Sequence, residues 1–263
     1  MEKETVGNQI ADERIVELTI PEVSFRVNEA FNVLRGNIQL SGYNIKTICI
    51  SSTLEHEGKS SVAFRLAKSF AALGKKTLFL DCDIRNSKIA VRYNVKKKFN
   101  GLSEYLCGNI SLEEAIYNTT DSCLDLVFTG AVAPNPSELF SGEMFSEMLK
   151  TLRSRYDYVI VDTAPIGLVI DGVLIARQCD GTVLVVENGR TGRKQCIHAK
   201  QQLEYADVKI LGVVLNKVGG KNKRYGRYGY GYGSKYGYGY GYGYGYGYGQ
   251  NHEKGKKGRL KKK

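Results

Sequence analysis

Short apolar runs alternate with stretches of helical periodicity through most of this chain, and this alternation constrains its fold more than any other feature. Runs such as 158–161 (Tyr-Val-Ile-Val) are apolar at every position, which is typical of parallel strands buried on both faces. The sequence therefore predicts an α/β doubly wound domain, a mostly parallel sheet with helices on both faces. The predicted strands are 47–51, 77–81, 124–128, 158–162, 182–187 and 210–216, and the predicted helices are about 59–73, 137–153, 169–178 and 193–205.

The C-terminal region has a different composition. Residues 225–249 are eleven Tyr and eleven Gly, interrupted only by Arg227, Ser234 and Lys235. Such a segment has no aliphatic side chains for a core, and glycine makes ordering entropically expensive. We therefore predict that 219–263 is a disordered basic tail that displays tyrosine hydroxyls. The competing interpretation is a sticky aromatic segment without chemistry.

The net charge of +11 is unevenly distributed. Residues 217–263 contain 13 Lys and Arg against a single acid, Glu253, whereas 1–216 has 25 basic and 26 acidic residues. The basic end could contact anionic lipid, nucleic acid or an acidic protein face. Because the body is nearly neutral, we do not expect it to have nucleic acid as a partner.

Cysteine usage and hydropathy predict a cytoplasmic location. The six cysteines (49, 82, 107, 123, 179 and 196) contain no Cys-x-x-Cys pair, which favours reduced thiols. The N-terminal segment, 1–23, has no signal-like apolar run, and no stretch approaches 18 consecutive apolar residues. We expect a chain that does not span a membrane by itself.

An amphipathic helix is predicted at 24–40, ahead of the first long strand. Val27, Phe31, Leu34 and Ile38 repeat at helical spacing. Their stripe is expected to pack on the body, with a partner subunit as the alternative.

The first chemical motif is Thr-Leu-Glu-His-Glu-Gly-Lys-Ser at 53–60, between a predicted strand and a predicted helix. Gly58-Lys59-Ser60 is the end of a phosphate-binding loop, in which backbone N–H groups and Lys59 hold phosphates and the Ser60 hydroxyl ligates Mg²⁺. Thr53 stands where the first glycine is expected.

Two further motifs follow the carboxyl ends of predicted strands. Asp81, Asp83 and Arg85 end one strand, and Asp162 ends another. Such charges are costly beside a buried strand unless they serve a ligand, and Mg²⁺ with phosphate would satisfy them. A simple carboxylate–arginine pair is the plainer alternative. The order and spacing of the three motifs predict an ATP and Mg²⁺ site.

The motifs together resemble the bacterial tyrosine kinases of Gram-positive capsule and exopolysaccharide systems (CapB/CpsD-like). The resemblance covers nearly the whole chain, with a kinase domain at 24–218. It includes the loop at 51–61, Asp81-x-Asp83-x-Arg85, the strand ending in Asp162, the segment 134–139 (Pro-Asn-Pro-Ser-Glu-Leu) and the tyrosine-rich end.

The resemblance implies roles for the matching positions. Asp81 would accept the tyrosine proton, and Asn216 would contact the adenine edge. The residues implied to bind ATP are Glu57, Gly58, Lys59, Ser60, Ser61 and Asn216; those at the metal are Ser60, Asp81 and Asp162; those in catalysis are Lys59, Asp81, Asp83 and Arg85. The acceptors would be Tyr225, Tyr228, Tyr230, Tyr232, Tyr236, Tyr238, Tyr240, Tyr242, Tyr244, Tyr246 and Tyr248.

The resemblance also implies partners. A membrane-bound activator with a cytoplasmic tail (CapA/CpsC-like) would recruit the kinase to the inner face of the membrane, and transfer would run between subunits of a homo-oligomer. The oligomerisation helix of the family reads Glu-x-x-Arg-x-x-Arg, and here Glu29 and Arg35 flank Asn32. With one arginine missing, we expect a weak ring. Glu55-His56 also stands where the family has Pro-Gly.

Two other function classes remain open at this point. A partitioning-type switch ATPase shares the sheet and the aspartates, but Leu54 occupies the place of its first loop lysine. A nucleotide-regulated scaffold with a sticky tail is the third alternative.

Overall fold

The computed structural model of the protein describes residues 14–96 and 99–219, and an eight-stranded sheet runs through them in the order β1-β4-β5-β3-β6-β2-β7-β8. The strands are β1 (Ile15–Val16), β2 (Thr47–Ser52), β3 (Thr77–Asp81), β4 (Ile116–Thr119), β5 (Leu124–Val127), β6 (Tyr158–Asp162), β7 (Gly181–Glu187) and β8 (Ile210–Asn216). All pairs are parallel except β4 with β5. The predicted fold class is thereby confirmed.

The helices between the strands cover both faces of the sheet. They are α1 (Phe25–Leu40), α2 (Lys59–Ala71), α3 (Ile89–Arg92), α4 (Leu102–Leu106), α5 (Leu112–Ala115), α6 (Pro136–Ser141), α7 (Glu143–Arg155), α8 (Asp171–Ala176) and α9 (Arg193–Tyr205). One core cluster contains Phe64, Phe70 and Phe79, and the other contains Phe140 and Phe145. The central strands are buried on both sides because each face meets its own cluster.

The predicted helix at 137–153 is in fact two helices. Gly142 between α6 and α7 has φ −72° and ψ 157°, which is extended backbone. A residue in this conformation cannot continue the i to i−4 ladder, so the chain starts a new helix after it. The sequence pattern missed this break because the apolar periodicity resumes at Phe145, which is buried.

The stripe of α1 packs on the body from Phe31 onward. Ile38 is buried, and Phe31 and Leu34 are partly buried against the cluster that contains Phe70. Val27 is 38% exposed and Phe25 is 80% exposed. The first turn of α1 therefore presents apolar surface outward.

The described part of the N-terminal segment lies on the body. β1 pairs with β4, and the N–H of Thr19 donates to the carbonyl of Tyr93 at 2.9 Å. All six cysteines are free thiols. Among the described helices, none is both long enough and apolar enough to cross a bilayer. Of the predicted tail, only Gly219 is among the described residues, and all the candidate phosphorylation sites lie outside them.

Candidate active site

The loop between β2 and α2 carries the phosphate-binding motif. β2 ends at Ser52 and α2 begins at Lys59. Gly58 caps α2 in the left-handed region, with φ 95°, and a Cβ atom there would lie 2.2 Å from Nδ2 of Asn216. The backbone angle and the close approach both require glycine. Because the first N–H groups of a helix lack intrahelical partners, the start of α2 offers donors to an anion.

The ammonium group of Lys59 lies among carboxylates. Its Nζ donates to Oδ2 of Asp83 at 2.7 Å and stands 3.8 Å from Oδ1 of Asp162. Burial alone would lower the pKa of Lys59, but attraction to Asp162 and Asp83 raises the pKa above its ordinary value. The lysine is therefore a fixed positive charge at the start of α2.

Asp81 and Asp162 end neighbouring strands and face each other in register across β3 and β6. Both are buried. The carboxylate of Asp81 accepts hydrogen bonds from the Ser87 hydroxyl and the Asp83 N–H, whereas neither oxygen of Asp162 has a hydrogen-bond partner within the described residues. Burial raises the pKa of both carboxyls, and the charge of Asp162 raises that of Asp81 further. Such a pair indicates a site that a ligand completes.

The donor set fits Mg²⁺. The Ser60 hydroxyl and the carboxylates of Asp81 and Asp162 are hard oxygen ligands, which Mg²⁺ prefers. Within 14–96 and 99–219, no three His, Cys, Asp or Glu side chains converge as an all-protein metal cage. This also suits Mg²⁺, which usually combines one or two carboxylates with water and substrate phosphates.

Arg85 is held by two side chains that the sequence analysis did not single out. Its Nε and Nη2 donate to the two carboxylate oxygens of Asp171, at 2.6 Å and 3.2 Å. The hydroxyl of Ser137 donates to Asp171 at 2.7 Å. Although burial opposes ionisation, these hydrogen bonds hold the pKa of Asp171 below its ordinary value. The segment 134–139 carried the only sequence signal, as part of the family motif.

A pocket of about 470 Å³ opens over the loop, and Asp83 and Arg85 also line it. This volume lies within the usual range for small-molecule sites. One wall is apolar, with Ala164, Pro165, Leu168 and Val169. The other lining residues are charged, polar or glycine: Glu55, His56, Gly58, Lys59, Ser60, Ser61, Asp83, Arg85, Asn86, Lys88, Arg92, Asn216 and Lys217. Seven of the predicted ATP-binding and catalytic residues therefore line this pocket, whereas Glu57, Asp81 and Asp162 are buried and do not line it.

Two predicted ATP-binding residues also make contacts within the protein. The carboxylate of Glu57 is buried behind the loop, where it accepts from the Leu54 N–H at 2.8 Å and from the Thr191 hydroxyl. Asn216 lines the pocket, but its Nδ2 donates to the Glu57 carbonyl at 2.8 Å. The side chain of Glu57 therefore shapes the loop from behind, and Asn216 joins loop and pocket.

The predicted oligomerisation residues lie elsewhere, on α1. Glu29 accepts a hydrogen bond from Asn32 at 2.8 Å, and Arg35 donates to the carbonyl of Ser69 on α2 at 2.6 Å. Neither Glu29 nor Arg35 lines the pocket over the loop.

Comparison with known proteins identifies the class of this site. Residues 45–189 match the family described as an AAA domain. A tyrosine-protein kinase CpsD of Streptococcus pneumoniae is 41% identical over 204 residues, which cover 78% of this chain and 90% of that protein.

Solved structures agree with this comparison. The kinase domain of Escherichia coli tyrosine kinase ETK superimposes with a TM-score of 0.69 at 32% identity, covering 72% of this chain and 74% of that one. The chimerical protein CapA2B2 superimposes with a TM-score of 0.70 at 29% identity, covering 81% and 97%.

Proposed function

The chain belongs to the bacterial tyrosine-kinase family and is a protein-tyrosine kinase, and we propose that it uses ATP and Mg²⁺ to phosphorylate tyrosines in its own C-terminal segment. The observation that carries this proposal is the meeting of Lys59 with Asp83 and Asp162 beside the phosphate-binding loop. Phosphoryl transfer needs positive charge on the phosphate oxygens, a bound metal and a residue that orients the acceptor hydroxyl. Each of these has a candidate in this cluster.

In this proposal the loop binds the phosphates of ATP, and Ser60 with the carboxylates at the strand ends binds Mg²⁺. The backbone from Gly58 to Ser61 and the ammonium of Lys59 hold the phosphates. Ser60, Asp81 and Asp162 hold the metal, and the oxygens of Asp162, which accept no hydrogen bond among the described residues, support this assignment. When bound, Mg²⁺ neutralises charge on the phosphates.

Asp81 is the proposed acceptor of the tyrosine proton. This role rests on the family resemblance. Burial and Asp162 shift the pKa of Asp81 upward in the metal-free protein, and bound Mg²⁺ would shift it down again. Asp83 positions Lys59 through the 2.7 Å contact. Arg85, oriented by Asp171, contributes positive charge at the mouth of the pocket.

The proposed acceptors are the eleven tyrosines from Tyr225 to Tyr248. β8 ends at Asn216, a pocket residue, and Tyr225 follows nine positions later. Transfer between subunits is favoured by the family resemblance, with Glu29 and Arg35 contributing to the assembly.

The family resemblance also extends the proposal to partners and pathway. A membrane-bound activator with a cytoplasmic tail would recruit this kinase to the inner face of the membrane, and its activity would regulate capsule or exopolysaccharide synthesis. The similarity to the chimerical protein CapA2B2 supports a CapA-like partner. Co-purification with the candidate membrane protein, with and without the cytoplasmic tail of that protein, tests this extension.

The site argues against the two other function classes. A partitioning-type switch needs a loop lysine that reaches across a dimer, and Leu54 occupies that position. A scaffold without chemistry has no use for Asp162, whose buried oxygens are left without partners among the described residues.

The direct test is incubation of the purified full chain with labelled ATP and Mg²⁺. Trypsin should separate the tail into 225–227, 228–235 and 236–254, with one, three and seven tyrosines respectively. We expect label on tyrosine in all three peptides, and none with Lys59→Met. Release of inorganic phosphate without labelled tyrosine would support the switch ATPase instead.

The direction of transfer has its own test. A Lys59→Met chain with an intact tail is mixed with an active chain whose tail tyrosines are all phenylalanine. Label on the inactive chain indicates transfer between subunits. Its absence, with normal labelling of the natural chain, would overturn transfer between subunits.

A further inference from the structure

Three consecutive carbonyl groups of the phosphate-binding loop accept hydrogen bonds from distant side chains. Nη1 of Arg190 donates to the carbonyl of Glu55 at 2.8 Å, and Nζ of Lys217 donates to that of His56 at 2.6 Å. Nδ2 of Asn216 donates to that of Glu57 at 2.8 Å. We call Arg190, Asn216 and Lys217 the carbonyl clamp.

One carboxylate braces the clamp. Oε2 of Glu187 accepts from Nη1 of Arg190 at 3.2 Å and from Nζ of Lys217 at 2.9 Å. Glu187 ends β7, Arg190 lies in the turn that follows it, and Lys217 directly follows β8. The two charged donors therefore rise from adjacent strand ends and are tied to one anion, which fixes their direction.

The loop has a conformational reason to need this support. His56 has φ 64°, in the left-handed region that non-glycine residues rarely adopt. The imidazole anchors the residue weakly, because its side chain is 73% exposed and the carboxylate of Glu55 stands 3.8 Å away, beyond hydrogen-bond distance. The hydrogen bond from Lys217 to the carbonyl group of His56 is thus the contact that holds His56 in place.

We propose that Lys217 and Arg190 are positioning residues that hold His56 in its left-handed conformation, so that the loop is preformed for nucleotide. The inference rests on the proposed nucleotide site and adds the residues that shape it. The clamp lowers the population of loop conformers that cannot bind nucleotide. The apparent dissociation constant for nucleotide equals the intrinsic constant divided by the fraction of molecules whose loop is competent to bind, so the clamp increases affinity.

A simple surface ion pair would not have this effect. Isolated exposed pairs contribute little, and the matched example here is the exposed pair of Lys200 with Glu204 on α9. The clamp differs because its acceptors are backbone groups of the loop itself. Removing a clamp side chain should therefore have an effect that depends on the backbone angle at His56, and removing Lys200 should not.

The experiment is a double-mutant cycle of Lys217→Ala with His56→Gly, read by binding of a fluorescent ADP with Mg²⁺. We expect Lys217→Ala to raise the dissociation constant about tenfold, the loss of one charge-assisted hydrogen bond. His56→Gly should restore most of that loss, because glycine adopts positive φ without cost. Lys200→Ala, the control, should change nothing.

A second readout uses the protein without any ligand. Hydrogen exchange at the amides of 54–60 should accelerate in Lys217→Ala and in Arg190→Ala, and should not in Lys200→Ala. If Lys217 touched nucleotide directly, affinity would fall without faster exchange and without rescue by His56→Gly, and the proposal would be overturned. Unchanged exchange in both clamp variants would overturn it as well.

Neither readout requires tyrosine transfer. If these tests fail, the kinase proposal still stands. If the kinase proposal fails, the measurements of ADP binding and hydrogen exchange still test the clamp.

Discussion

Asp171 accepts two of the hydrogen bonds that orient the guanidinium of Arg85, from Nε at 2.6 Å and from Nη2 at 3.2 Å, and the Ser137 hydroxyl accepts a third from Nη2 at 3.3 Å. Asp171 is only 1% exposed, whereas the Arg85 side chain is 42% exposed and lines the pocket. A buried anion thus fixes the direction of a cation that reaches toward the site. Ser137 ties the same anion to α6.

The first prediction is that Asp171→Asn lowers the rate of tail phosphorylation about tenfold or more while nucleotide affinity stays nearly unchanged. A neutral amide cannot form the bidentate contact, so Arg85 loses its orientation. Ser137→Ala should have a smaller effect, because it leaves that contact in place. Initial rates and ADP binding measure the two quantities. A variant that loses both in proportion would contradict a role limited to orientation.

The second prediction concerns Asp162 in protein freed of metal and nucleotide. We expect Asp162→Asn to raise the melting temperature, because the buried carboxylate accepts no hydrogen bond among the described residues and Asp81 lies opposite. The attraction of Lys59 at 3.8 Å opposes this, but burial outweighs it, since the pKa of Asp162 is still raised to about 6. The same variant should lose the stabilisation that Mg²⁺ and ADP give the natural chain. Thermal unfolding with chelator, and then with both ligands, tests both halves.

The pH dependence of that effect has a definite sign. Because burial raises the pKa of Asp162 in the folded state, the unfolded chain releases the proton first, and stability falls as pH rises from about 4 toward neutrality. The advantage of Asp162→Asn should therefore grow over this range. A constant difference between the two proteins from about pH 5 to about pH 8 would contradict a buried carboxylate that ionises at a cost to stability.

The third prediction contrasts two glycines. Gly58→Ala should abolish nucleotide binding, because φ is 95° and the new Cβ atom would meet Nδ2 of Asn216. Gly36 lies within α1, and a Cβ atom added there would have no other atom within 4 Å, so Gly36→Ala should stabilise the protein by about 0.5–1 kcal/mol. ADP binding and chemical denaturation measure the pair. Normal binding by Gly58→Ala would refute the steric account.

The fourth prediction concerns assembly. The amide of Asn32 donates to Glu29, and Arg35 donates to Ser69, so few charged donors on this face of α1 are left for a neighbour. We expect a weak oligomer that dissociates at nanomolar concentration, and Asn32→Arg should tighten it. Asn32→Gln, which keeps the amide, is the control. A stable ring of the natural chain in mass photometry at that concentration would refute the prediction.

Local signals in the sequence predicted the strand ends and the site charges that follow them. Lys59, Asp81 and Asp162 each stand directly after or within a recognisable motif, and parallel strands bring their carboxyl ends to one edge. Asp171 and Lys217 carried no such signal, because their partners Arg85 and His56 lie 86 and 161 positions away. β1 was missed because two residues are too few to show a period. β4 was missed because half of its residues, Asn118 and Thr119, are polar, whereas the equally short β5 has three aliphatic residues.

The carbonyl clamp determines how far a fragment of this protein must extend to bind nucleotide. The family match ends at residue 189, and all three clamp donors lie beyond it. A fragment trimmed to 45–189 would keep every loop and aspartate motif, yet it would lose β8 and expose the edge of the buried strand β7. Exposed apolar edges pair with other chains, so we expect this fragment to aggregate and to bind ADP poorly, whereas 1–219 should do neither. We therefore expect the segment that matches the family to be shorter than the segment that folds by itself. Light scattering of the two fragments would measure their aggregation.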